Sequence, residues 1–206
     1  NKKKTKYKTS FYYNINDKKD KNHDRIIFNL SENQKLIYND IRKFGFIKFF
    51  TKISINNSFH LKNLGPEPLE KNFGLAYFRK YLLNKNRMIK NILMDQKFAS
   101  GLGNIYVNEI LFYSGIKPTK NVKDLSKSEI KKVVKFTKKI LSKAIDLGGS
   151  SIKDFSSSNG KKGLFQQYFS VYGKKGENCS NKNCKSKITK IVIANRASFY
   201  CDNCQK

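Results

Sequence analysis

All four cysteines of this 206-residue chain lie near its C-terminus, in two close pairs. Four residues separate Cys179 from Cys184, two separate Cys201 from Cys204, and sixteen lie between the pairs. Thiolates are preferred zinc ligands, and two tight turns that face each other can supply all four corners of a tetrahedron. The spacing predicts one structural Zn²⁺ in a closed site, with no position for a reacting water. Two disulfides are the alternative, but the lack of any other cysteine and the knuckle-like spacing favour zinc.

Two further residues could bind a phosphate. The segment GLGNIY at 101–106 places two glycines before a predicted helix, where free backbone N–H groups and the helix dipole favour an anion. Asn104 would add a side-chain donor there. Arg196 is predicted at the junction of two strands that the cysteine pairs flank, and its guanidinium fork matches a phosphate. A structural turn and an ordinary surface arginine are the simpler interpretations.

A cation and an aromatic ring alternate in NDIRKFG at 39–45. Arg42 and Phe44 would point to the same side of an extended segment, and such a pair can enter a base stack. A half-buried phenylalanine beside a solvated arginine is the alternative. His23 comes directly before the first predicted strand, where a lone histidine is usually a polar surface residue, and His60 is assigned no role.

The charge balance points to a polyanionic partner. The chain has 43 Lys+Arg against 15 Asp+Glu, a formal charge of +28, and nucleic acid is the first partner to consider. Only five of these residues are arginine, and the abundance of Asn, Ile and Lys resembles the bias of an AT-rich genome, so the charge supports DNA binding only moderately. No run approaches the roughly 18 apolar residues of a membrane span, and no signal peptide is present. Thiolates reserved for metal suit a reducing compartment.

The pattern of apolar residues predicts an α+β protein. Three short strands are predicted in the first part, at 24–30, 34–40 and 45–50. Helices follow at 73–83, at 88–94, after GLGNIY up to Gly115, and from a capping box formed by Ser126 and Glu129 up to Gly148. Two strands, KITKIVIA and ASFY, are predicted between the cysteine pairs, joined at Asn195 and Arg196.

Taken in order, these segments resemble one family. His23-Asp24, YNDIRKFG, LGPEPLE, ILMDQKFASGLGNIYVNEILFYSGIKP, GGSSIKDF, VYGKKGENC and NRASFYCDNCQK are similar to the bacterial formamidopyrimidine-DNA glycosylases, from about residue 22 to the end. The resemblance implies a base-excision repair enzyme that flips oxidised purines such as 8-oxoguanine out of duplex DNA. Such an enzyme cuts the glycosidic bond and then nicks the strand as an AP lyase.

The same resemblance implies roles for individual residues. Asn104 and Arg196 would contact the phosphate beside the lesion, and Arg196 would also be the acid of the second elimination. Arg42 and Phe44 would fill the gap left by the extruded base, and His23 would contact DNA. The segment GGSSIKDF and the loop after it would close over the flipped base.

Several positions depart from the family pattern. The family's DNA-contacting lysine aligns with Asn86, so Lys85 or Arg87 is expected to replace it. The usual proline of NDPRRFG is Ile41 here, and the first cysteine pair is wider than usual. The N-terminal proline nucleophile, the glutamate after it, a lysine of the first domain and the apolar wedge residue are missing, because the chain starts at Asn1 in a stretch that resembles the middle of a longer protein. A lysine of ordinary pKa, near 10.4, would be a poor substitute nucleophile.

The resemblance therefore predicts three regions: the tail of an antiparallel β-sandwich at 1–60, a helix–two-turn–helix domain with the capping loop at 61–171, and a zinc β-hairpin at 172–206. The helix–two-turn–helix unit itself would cover about 70–118. The expected partner is damaged double-stranded DNA, with no membrane, and the expected state is a monomer in the bacterial cytoplasm. We expect this chain to bind DNA without cleaving it and the intact protein to cleave. An endonuclease VIII-like glycosylase for oxidised pyrimidines and a non-catalytic nucleic-acid-binding zinc protein are the alternatives.

Overall fold

The computed structural model describes residues 21–52, 54–150 and 163–206. The chain divides into two compact units, one of Asn1–Thr51 with Leu147–Gln166 and one of Lys52–Asp146 with Gln167–Lys206. In the described residues the elements are helices and two small antiparallel sheets, which confirms the predicted α+β class. None of the described helices is both long and apolar enough to cross a membrane.

The first unit contains a β-hairpin formed by β1 (Asp24–Asn29) and β2 (Lys35–Asn39). Ile27 pairs with Ile37 at its centre, and the connecting turn has positive φ at Glu32 and Asn33. These are the first two of the three strands that the sequence predicts.

The third predicted strand, at 45–50, is wrong, because these residues lie in no strand. Asp40 replaces strand pairing with a local turn: its carboxylate accepts the N–H groups of Arg42, Lys43 and Gly45 at 2.8–2.9 Å. The Gly45 N–H and its neighbours hold the pKa of Asp40 below its ordinary value. The aromatic run that follows stays exposed, with Phe49 88% accessible, so its β-propensity has no sheet surface to pack on.

Among its described residues the second unit contains four α-helices, as predicted. They are α1 (Leu75–Leu82), α2 (Ile89–Leu93), α3 (Asn104–Ser114) and α4 (Lys127–Asp146). Phe73, Phe78 and Phe98 are fully buried at their centre, with ring centroids 4.7–5.9 Å apart. These edge-to-face contacts hold the N-terminal part of α1 against the turn that leads to α3.

The predicted helix ends are confirmed. Gly115 ends α3 in the left-handed conformation (φ 71°), which a glycine adopts without a Cβ clash. At the start of α4 the Glu129 N–H donates to Ser126 Oγ (3.2 Å), and the Ser126 N–H donates to Glu129 Oε2 (2.9 Å). This reciprocal pair is a capping box.

The second hairpin consists of β3 (Ile188–Ile193) and β4 (Arg196–Cys201). Its turn is formed by Ala194 and Asn195, both with positive φ (47° and 58°), as a two-residue type I′ turn requires. The sequence analysis placed Arg196 in the turn. The structure instead makes it the first residue of β4, paired with Ile193.

Glu109 connects the helices to the chain that enters this hairpin. It is fully buried in α3, and its carboxylate accepts the N–H groups of Ser170, Val171 and Tyr172 at 2.8–3.0 Å. Burial raises the pKa of Glu109, and these three donors oppose that rise. The side chain satisfies three backbone donors that would otherwise be buried without partners.

We expect Glu109→Gln to destabilise the protein by about 1–3 kcal/mol, because an amide has one acceptor oxygen and turns its NH₂ toward backbone N–H groups. Urea unfolding followed by circular dichroism measures the loss. The control is Glu177→Gln, at an exposed carboxylate 3.9 Å from Lys174, which should cost less than about 0.5 kcal/mol. Equal losses in the two variants would contradict the role given to Glu109.

Candidate nucleic-acid interface and metal centre

The four cysteine side chains meet at one point, as the spacing predicts. The sulphur atoms of Cys179, Cys184, Cys201 and Cys204 all lie within 4.8 Å of one another. The Cys179–Cys204 distance is 3.8 Å and the Cys184–Cys201 distance is 3.6 Å. These are the separations expected at the edges of a tetrahedron with metal–sulphur bonds of about 2.3 Å. A disulfide needs about 2.05 Å, so the arrangement fits a metal and not two disulfides.

The surroundings of the sulphurs are unequal. The Asn203 side-chain amide, 3.4 Å from Cys184 Sγ, donates to it and lowers the pKa of that thiol, whereas burial raises the pKa of Cys179. A bound cation would favour the thiolate at every position, because ligating thiols are deprotonated outright. Val171, Ile188 and Phe199 pack against the cluster and shield it from water.

Helix α3 and strand β4 are joined by asparagine side chains. The Asn108 Oδ1 atom accepts the backbone N–H of Phe199 at 2.6 Å. One turn earlier, Asn104 Nδ2 donates to the backbone oxygen of Ala197 at 3.0 Å. The first residue of the glycine-led helix thus contacts the residue that follows Arg196, so the structure brings the two predicted phosphate ligands into one neighbourhood.

This contact changes the expectation for Asn104. One of its amide protons is already engaged by the Ala197 oxygen, which leaves one further donor. Arg196 itself is exposed at the start of β4. Its fork is therefore accessible, whereas the Asn104 side chain already holds the hairpin through the Ala197 oxygen.

The third residue at this place, Lys90, was not among the residues predicted from the sequence. It lies in α2 and is only 1% exposed, and its Nζ donates to Ser198 Oγ (2.5 Å) and to the Ala197 oxygen (3.1 Å). Burial, reinforced by the nearby charge of Arg196, lowers the pKa of Lys90 to about 8. One signal was available: Lys90 is the single charged residue of α2, a short helix in which Ile89, Ile92 and Leu93 are apolar.

Arg42 and Phe44 belong to the first unit and do lie together. The Arg42 guanidinium carbon is 4.7 Å from the centre of the Phe44 ring, which is 75% exposed. In the same unit His23 precedes β1, and the Arg25 guanidinium lies 3.3 Å from its Nδ1 atom. Arg42 and Phe44 thus lie together at the surface, although on a turn with positive φ at Lys43 and not on the extended segment that was predicted. Their role in a base stack stays a prediction.

The two residues proposed to replace the family lysine have partners within the chain. The Lys85 ammonium lies 4.9 Å from the centre of the Tyr81 ring, and Arg87 forms an ion pair with Asp95 at 3.1 Å. Asn86, between them, accepts a hydrogen bond from Asn121. Their contact with DNA also stays a prediction.

Comparison with known proteins identifies the family. The model of the formamidopyrimidine-DNA glycosylase H2TH domain matches residues 64–156. Formamidopyrimidine-DNA glycosylase of Rickettsia bellii is 44% identical over 186 residues, and that of Bacillus subtilis is 41% identical over 186 residues; in each case the match covers 90% of this chain and 67% of the relative.

Solved structures show the same fold. A Lactococcus lactis Fpg mutant, crystallised with DNA that contains Fapy-dG, is 36% identical with a TM-score of 0.83. The match covers 95% of this chain and 70% of that one. The MutM (Fpg) protein of Thermus thermophilus is 31% identical with a TM-score of 0.79, over 91% of this chain and 70% of that one. The chain thus spans about two thirds of the length of its relatives, and it belongs to the formamidopyrimidine-DNA glycosylase family.

Proposed function

We propose that this chain is the DNA-gripping part of a base-excision repair glycosylase and AP lyase that removes oxidised purines, 8-oxoguanine and formamidopyrimidines, from duplex DNA. The relatives are named formamidopyrimidine-DNA glycosylases, and one neighbouring structure is a complex of L. lactis Fpg with DNA that contains an abasic site. The DNA-binding residues would be those of both units: His23, Arg42, Phe44, Lys85, Arg87, Asn104 and Arg196.

The observation that carries the proposal is the meeting of α2, α3 and β4 at the Ala197 oxygen. Lys90 and Asn104 both donate to this atom, so the backbone beside Arg196 has little freedom. A pre-positioned guanidinium loses less conformational entropy when it binds a phosphate bidentately. Lys90 adds positive charge beside Arg196, and an anion there would relieve the repulsion between them.

A structural Zn²⁺ would hold the other end of the same strand. Cys201 closes β4, five residues after Arg196, and all four sulphurs would ligate one ion. The closed four-thiolate set has no open position, so the ion would stabilise the hairpin and take no part in the reaction.

The chemistry would depend on residues outside those described here. Glycosidic bond cleavage with a covalent intermediate needs an unprotonated amine that can reach the sugar. Among the described residues Lys90 has a pKa lowered to about 8, but it is buried and its Nζ faces Ser198 and Ala197. Its position suits an anchor and not a nucleophile. Arg196 would act as the acid of the second elimination in the intact protein.

The remaining predictions are kept as parts of the proposal. The lesion-capping segment GGSSIKDF begins within the described residues at Gly148, but residues 151–162 lie outside them. The division into regions 1–60, 61–171 and 172–206 is proposed on the family resemblance. The protein would work as a monomer in the bacterial cytoplasm, where its substrate DNA lies.

Removal of zinc should release the hairpin. The purified protein should contain one zinc per chain, and Cys204→Ser or chelation should lower its thermal midpoint and weaken DNA binding at least tenfold, because Arg196 is no longer fixed. Elemental analysis measures the zinc content, and titration of thiols in denaturant counts the free cysteines. The helix content should stay largely unchanged on zinc removal, because α1–α4 contain no zinc ligand. Metal-free protein with no titratable thiols would indicate disulfides and contradict the proposal.

The chain as it stands should bind a lesion without cleaving it. A duplex with one abasic site should bind more tightly than undamaged duplex, yet borohydride should trap no covalent product with an abasic or 8-oxoguanine duplex. Protein extended to the full length of its relatives should give both trapping and strand nicking, with 8-oxoguanine preferred over an oxidised pyrimidine.

Strong trapping by the present chain would contradict this division of roles, and Lys90→Met would then show whether Lys90 is the nucleophile. Preference of the extended protein for the pyrimidine lesion would favour the endonuclease VIII-like alternative. No selective binding of the abasic duplex would favour a non-catalytic zinc module.

A further inference from the structure

Helix α4 carries a row of lysines at a constant spacing. Lys127, Lys131, Lys135, Lys139 and Lys143 follow one another every four residues, and all five are exposed. Neighbouring members of this row lie side by side on the helix, and each step of four residues turns about 40° around the axis. The five residues, which we call the lysine stripe, therefore form a row that winds across the solvent-facing half of α4. With a rise of about 1.5 Å per residue, the stripe is about 24 Å long.

The opposite face of α4 is committed to the core. Ile130, Val133, Thr137, Ile140 and Ala144 are buried there, and α4 packs against α3 and α1. The helix is therefore held by its apolar side, and the stripe points away from the core.

The charges of the stripe are not neutralised within the described part of the chain. No carboxylate there forms an ion pair with a stripe lysine: Glu129 is used by Lys120 at 2.7 Å and by the Ser126 N–H. Lys143 lies over the Tyr168 ring at 3.9 Å, a contact that leaves its charge in place.

This arrangement costs stability in the free protein. Each pair of like charges four residues apart is unfavourable by about 0.2–0.5 kcal/mol, whereas the usual surface pattern alternates Glu with Lys. A general bias toward lysine explains how many lysines there are, but it does not explain why every fourth residue from 127 to 143 is a lysine. An external polyanion that binds along the stripe would turn this repulsion into attraction.

Two kinds of polyanion could bind the stripe, a nucleic-acid backbone and an anionic membrane. A helix that binds a membrane in the interface inserts its apolar face between the lipids, but the apolar face of α4 is buried in the protein. A DNA strand, in contrast, presents one phosphate about every 3.4 Å of its axis, so a row of this length meets several phosphates without any apolar contact.

We propose that the lysine stripe of α4 is a second DNA-binding face, which contacts the phosphates of duplex DNA without regard to sequence or damage. It is distinct from the Asn104–Arg196 site and goes beyond the proposed lesion recognition. Its contribution is to keep the protein on undamaged DNA, where most of its encounters take place.

The test compares two variants with equal loss of charge. The stripe variant replaces four lysines with glutamine: Lys127→Gln, Lys131→Gln, Lys135→Gln and Lys139→Gln. The control variant removes four exposed lysines outside α4: Lys62→Gln, Lys71→Gln, Lys80→Gln and Lys123→Gln. Glutamine has nearly the helix propensity of lysine, and the stripe variant should melt at or above the temperature of the unchanged protein at low salt.

Affinity for an undamaged duplex is measured over a range of salt concentrations. The stripe variant should reduce the slope of log K against log salt by about 2–4, since each phosphate contact contributes about 0.9, and should bind at least tenfold more weakly at low salt. The control variant should change the slope by less than about one. The ratio of affinities for abasic and undamaged duplex should stay the same in the stripe variant and fall in Arg196→Ala.

Three results would overturn the proposal: an unchanged slope in the stripe variant, equal losses in the two variants, or a stripe-dependent affinity for phosphatidylglycerol vesicles that exceeds the affinity for DNA. A failure of Arg196→Ala to lower the abasic-to-undamaged ratio would instead count against the proposed lesion site and leave the stripe standing.

Discussion

The Ala197 carbonyl oxygen is the point on which the arrangement of the second unit depends. It accepts hydrogen bonds from Lys90 in α2 and from Asn104 in α3 at 3.1 and 3.0 Å. Burying an ammonium group is costly unless its donors are satisfied, and here Ser198 provides the second acceptor. Two successive helices are thereby joined to a distant strand, β4, at the residue next to Arg196. The cysteine cluster fixes the other end of the same strand, so both ends of β4 are constrained.

The neighbouring positive charges of Lys90 and Arg196 favour the binding of an anion. Burial and the proximity of Arg196 lower the pKa of Lys90 to about 8, so at neutral pH most molecules still carry both charges. Two close cations beside the N-terminus of α3 form a positive site without a counter-ion among their described hydrogen-bond partners. A phosphate bound there would relieve the repulsion between the two cations.

Local signals in the sequence were sufficient for much of the fold. The Ser126–Glu129 capping box and Gly115 defined helix ends because these motifs act through backbone groups only a few residues away. The cysteine spacing predicted the cluster for the same reason, because each pair needs one tight turn. The family resemblance then placed Asn104 and Arg196 together, which neither residue indicates alone.

Long-range packing explains what the sequence did not reveal. Lys90 looks like one more surface lysine, and only β4, 107 residues away, makes it a buried anchor. The 45–50 run has the composition of a strand, but Asp40 turns the chain and no partner strand lies beside it. Arg196 lies in β4 and not in the turn, because Ala194 and Asn195 form the turn with positive φ. Alanine rarely adopts positive φ, so the sequence did not suggest a turn at Ala194.

We propose that Arg196, next to the oxygen of Ala197 that Lys90 and Asn104 contact, binds one particular phosphate beside the lesion. A double-mutant cycle tests it most directly: binding of an abasic duplex is measured with and without an uncharged methylphosphonate at that position, for the unchanged chain and for Arg196→Ala. We expect a coupling free energy of at least about 1.5 kcal/mol, as for a charged hydrogen bond, and a value near zero when the methylphosphonate is moved several nucleotides away. Equal effects of the methylphosphonate on both proteins would contradict it.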